Sequence, residues 1–66
     1  MIKHYETKAA MLKQKEAQPQ EVTELMTEIK EAFNMPDKPD SEFTKVNSRV
    51  IRLYRELASY RLNLQH

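Results

Sequence analysis

Sixty-six residues make one domain at most, and folding so short a chain buries only about 60% of the surface its unfolded form exposes. Hydrophobic residues are 39% and charged residues 32%, so a small core sits under a heavily charged surface. Eleven basic against ten acidic side chains leave a net charge of +1, which is no bulk signal for nucleic acid or membrane. Cysteine and glycine are both absent, which removes disulfides, thiolate metal sites, cysteine nucleophiles, Gly-rich phosphate loops and glycine helix caps together.

The N-terminal run Met1-Ile2-Lys3-His4-Tyr5-Glu6 meets charges at once, unlike a signal peptide. No stretch approaches the ~18 uninterrupted apolar residues of a membrane span. The expected compartment is the cytoplasm, with no membrane partner.

Prolines at 19, 36 and 39 are the strong punctuation, because each disfavours helix in the residue before it. The first segment, about residues 2–16, has good helix propensity but a thin apolar stripe of Ile2, Tyr5, Ala9 and Leu12. The second, about residues 20–34, is the clearest amphipathic helix. Val22, Leu25, Met26, Ile29, Ala32 and Phe33 occupy an arc of about 120°. Pro19 suits its first turn and Glu21 suits the positive end of its dipole. Residues 35–40 read as a rigid, polar turn between helices.

The third segment, about residues 41–63, is longer, roughly 35 Å as one helix. Phe43, Val46, Val50, Leu53, Leu57, Tyr60 and Leu64 alternate in steps of three and four. Ile51, Tyr54, Ala58 and Leu62 form a second stripe beside them, and the two cover roughly 200° of helix surface. The spacing therefore predicts a single all-α domain over residues 1–66, a three-helix up-down-up bundle with a long C-terminal helix.

Charge is segregated along the chain. Residues 1–18 carry +2, residues 19–40 carry −4 and residues 41–66 carry +3. Glu21, Glu24, Glu28 and Glu31 share a face of the second helix. Lys45, Arg49, Arg52 and Arg55 share the polar face of the third. The simplest expectation is that these stripes offset each other across the bundle, each exposed pair being worth ~0–1 kcal/mol.

Catalytic and metal constellations are nearly absent. The two histidines, His4 and His66, lie at opposite ends, and no Glu-x-x-His or His-x-x-x-His pair exists. Ser41, Ser48 and Ser59 have no candidate base nearby in sequence, and so short a chain has little interior in which to tune a pKa. No enzyme activity, cofactor, metal or small-molecule substrate is expected.

The expected function is a small non-catalytic helical module for protein–protein interaction or regulation. Its apolar excess lies on the C-terminal helix, where a thin first helix covers the second stripe poorly. Ile51, Tyr54, Ala58 and Leu62 are the interface candidates, for a foreign protein or for a homodimer built on the same stripe. The alternative is a DNA- or RNA-binding regulator using Lys45, Arg49, Arg52 and Arg55. Asp37, Asp40 and Glu42 near the start of that helix oppose it, since they would meet phosphates with the wrong sign.

Overall fold

The computed structural model describes residues 1–65, so His66 lies outside the described residues. It is all-helical, with no strand among the described residues. The order is α1 (Ile2–Gln14), α2 (Pro19–Ala32), α3 (Ser41–Val46) and α4 (Ser48–Leu64). The interface between α2 and α4 is the most extensive, α1 packs on both, and α3 touches only α4. No described helix is long and apolar enough to cross a membrane.

Each helix end has a local cause. At the start of α2, Gln18 is extended, Pro19 takes the first helical position, and the Glu21 carboxylate accepts from the Gln18 N–H at 3.0 Å. Asp40 caps α3 by accepting from the Phe43 N–H at 2.8 Å. Both α1 and α2 end in Schellman geometry without glycine. Glu16 and Asn34 take φ of 54° and 52°. The following N–H groups reach back to the last turn, Ala17 to the Leu12 carbonyl at 3.2 Å and Met35 to the Lys30 carbonyl at 2.9 Å. Ala17 and Met35, just past those bonds, are both buried, the hydrophobic contact that accompanies this motif.

The third expected helix is divided, which corrects the three-helix reading. The chain bends at Asn47, with φ −115° and ψ 36°, and its side-chain amide donates to the Phe43 carbonyl at 3.2 Å. A local side-chain bond of this kind competes with the helical ladder. Before the bend Phe43 packs on the core cluster, while Val46 is turned out to 75% exposure. Seamless three-four spacing across residues 43–53 therefore does not amount to one straight helix.

The core is one cluster. Val22, Ile29 and Leu57 are fully buried at its centre, and Leu25, Met26, Val50, Ile51 and Leu53 surround them. No charged or polar residue is buried among the described residues. Ala32, placed by spacing on the buried stripe of α2, is exposed instead.

Candidate interaction surface

α4 has two flanks, and the chain covers them differently. On one flank, Ala9 of α1 and Leu53 share the core cluster, and Lys13 stands 5.9 Å above the Tyr60 ring. Charges lock that contact. The Arg49 guanidinium grips the Glu6 carboxylate with two bonds of 2.7 and 2.8 Å, and Lys13 pairs with Glu56. The bidentate grip holds the Glu6 carboxyl below its ordinary range and the Arg49 guanidinium above its own. On its other side α1 is tied to α2 by Lys8–Glu28 at 3.2 Å and Lys15–Glu21 at 3.0 Å. Lys15 and the Gln18 N–H together lower the Glu21 carboxyl.

The other flank carries the second apolar stripe, and α1 does not reach it. Spacing left that stripe to the first helix, but the linker after α2 covers part of it instead. Ile51, only 6% exposed, shares the core cluster with Met35, whose backbone is held by the bond to Lys30. Past Ile51 the cover thins. Tyr54 and Ala58 are half-buried, and Leu62 is 55% exposed.

Ile51, Tyr54 and Ala58, but not Leu62, line an open groove of about 280 Å³ between the end of α2, the linker and α4. Met35, Ile51, Tyr54 and Ala58 supply its apolar lining, and Lys30, Asp37 and Arg55 its charges. Lys30 and Asp37 pair, which raises the ammonium and lowers the carboxyl from their ordinary values. Arg61, one turn beyond Ala58, donates to the Thr23 hydroxyl of α2 at 3.1 Å.

The four interface candidates thus fall into three environments: Ile51 in the core, Tyr54 and Ala58 in the groove wall, and Leu62 in the open. Sequence spacing missed Met35, Pro36 and Pro39 as groove residues. The available signal was an apolar side chain directly after a helix end, where the Schellman motif turns it inward.

The two charged stripes are split as well. Glu21 and Glu28 are paired to α1, while Glu24 and Glu31 have no cation within pairing distance among the described residues. Arg49 is consumed by Glu6, whereas Lys45, Arg52 and Arg55 are exposed with no acidic partner among the described residues. No group of side chains able to hold a metal ion occurs among the described residues. No protein family, curated protein or solved structure matches this chain.

Proposed function

We infer that this chain is a non-catalytic interaction module that presents the flank of α4 opposite α1 to another protein. One observation carries the reading: the apolar row Tyr54, Ala58, Leu62 runs out of its own groove into solvent, and the covering linker stops short of it. Exposed apolar surface continuous with a groove and rimmed by charge is the usual character of a docking face.

The arrangement of ion pairs supports an up-down-up course for the three long helices. Lys8 and Lys15 meet Glu28 and Glu21 in reversed order, while Glu6 and Lys13 meet Arg49 and Glu56 in the same order. That course leaves the α4 flank beside α2 as the seam without a third helix. The nucleic-acid reading has less support, because one of its four cations already spends its charge on Glu6.

Site-specific photo-crosslinking tests the proposal. A photoreactive residue at Leu62 should form a discrete adduct with one protein in cells that make this chain. The same residue at Gln14, on the exposed face of α1, should not. Equal yields at both positions, or none at Leu62, would refute it.

A further inference from the structure

The charges around the α2–linker–α4 groove select the chemistry of its occupant, an argument that rests on the interaction surface proposed above. Lys30 and Asp37 cancel each other on one rim. Arg55 stands on the other rim with no acidic partner among the described residues, whereas Arg52 belongs to the α1 side of α4. Arg61, next to Leu62 in the chain, adds a second cation and is engaged only by a neutral hydroxyl. The apolar row therefore has a cationic border, and Asp37, its one lining carboxylate, is already engaged.

We propose that the groove receives an acidic amphipathic helix of a second protein. Apolar residues of that helix seat against Tyr54, Ala58 and Leu62. Its carboxylates meet Arg55 and Arg61, whose planar guanidinium groups suit bidentate pairing. A helix is the form that fits. Addition of a partner strand needs a free sheet edge, and the described residues contain no strand. A polyproline ligand needs an aromatic-lined groove, and this one has Tyr54 alone. The row from Tyr54 to Leu62 is about 12 Å long at 1.5 Å per residue, close to the two turns between positions i and i+7 of a partner helix.

A second copy of this chain fits less well. A two-fold pairing through this flank of α4 would set the cations Arg55 and Arg61 of one copy against the same pair of the other, and like charges at an interface oppose docking. The acidic α2 of another copy cannot supply the ligand helix, because its own apolar stripe, Val22 and Ile29 included, is fully buried.

Panning a phage-displayed library of helical peptides, about 16 residues long, against the full chain tests the proposal. The enriched peptides should combine an i, i+3/i+4, i+7 apolar pattern with an excess of Asp and Glu. Their binding should weaken at least about tenfold on Arg55→Glu and fall with added salt. Arg55 and Leu62 are exposed, so Arg55→Glu and Leu62→Ser should leave the melting curve unchanged. Changing the peptide's acids to lysine should restore binding to the Arg55→Glu variant.

Several results would overturn the proposal: no enrichment, enrichment of basic or neutral sequences, binding indifferent to Arg55→Glu, or mass that grows with concentration in sedimentation. A salt-sensitive complex with DNA or RNA that Arg55→Glu abolishes would overturn it as well. A crosslink at Leu62 alongside any of the peptide failures would leave the interaction surface standing and remove only the acidic helix.

Discussion

Glu16 sits in the left-handed region at the end of α1, with φ 54°, where an L-residue with a Cβ is disfavoured by roughly 1–2 kcal/mol. Asn34 occupies the same position after α2, but asparagine tolerates it better. A chain without glycine thus keeps strain at a site where most helices relieve it. Glu16→Gly removes the clash at a backbone-entropy cost of about 0.4–1 kcal/mol, so a net gain of about 0.5–1 kcal/mol is expected. For a domain of this size the melting midpoint should rise by several degrees. Glu16→Val should lower it, because a β-branched side chain is worst placed there. A calorimetric melt of both variants decides the matter, and a destabilised Glu16→Gly would show that the turn is not held in this conformation.

At the scale of elements, the bend at Asn47 separates residues that spacing treats alike. Val46 and Leu57 belong to one three-four series, yet Val46 is 75% exposed and Leu57 is fully buried. Leu57→Ala should cost about 2–5 kcal/mol, enough to unfold much of so small a domain at 37 °C. Val46→Ala should stay within about 0.5 kcal/mol. Urea denaturation of the two variants checks this, and comparable losses would mean that α3 and α4 run as one helix with Val46 packed inside. The same bend explains why α3 has no buried residue of its own. Its six residues are held by the Asp40 cap, the Asn47 amide and the half-buried ring of Phe43.

Across the whole molecule, surface ion pairs add to the apolar packing of Ile2, Tyr5, Ala9 and Leu12 that fastens the first helix. Glu6, Glu21 and Asp37 have carboxyls depressed below their ordinary values of 4.5, 4.5 and 3.8 by Arg49, Lys15 and Lys30. A depressed carboxyl stabilises the fold above its unfolded pKa, and that contribution is lost as pH falls through the folded one. The melting midpoint should therefore decline as pH drops below about 4.5, and less steeply in Arg49→Gln, where Glu6 loses its partner. Lys30, raised above 10.5 by Asp37, acts oppositely: its contribution is present below 10.5 and disappears at higher pH. All these groups are on the surface, so added salt should flatten both limbs. A midpoint unchanged between about pH 5 and 3 at low salt would show that the pairs do not persist in solution.

What the amino-acid sequence determined by itself is local. An all-helical fold follows from proline punctuation, three-four periodicity and the lack of any hairpin signal. The Asp40 cap and the Glu21 reach to Gln18 are settled by neighbours within three residues, and the buried stripe of Val22, Leu25, Met26 and Ile29 by three-four spacing within one helix. Tertiary structure decided whatever depends on residues far apart in the chain. The Asn47 bend leaves Phe43 on the core but turns Val46, of the same three-four series, out to solvent, a difference invisible to periodicity. Which flank of α4 receives α1 is set jointly by Ala9 joining Leu53 in the core and by Glu6 meeting Arg49, 43 residues away. That choice removes Arg49 from the basic stripe and leaves the row Tyr54, Ala58, Leu62 to a linker too short to cover it. Periodicity reports how much apolar surface a helix carries, but only packing among distant segments determines which part of it is left over.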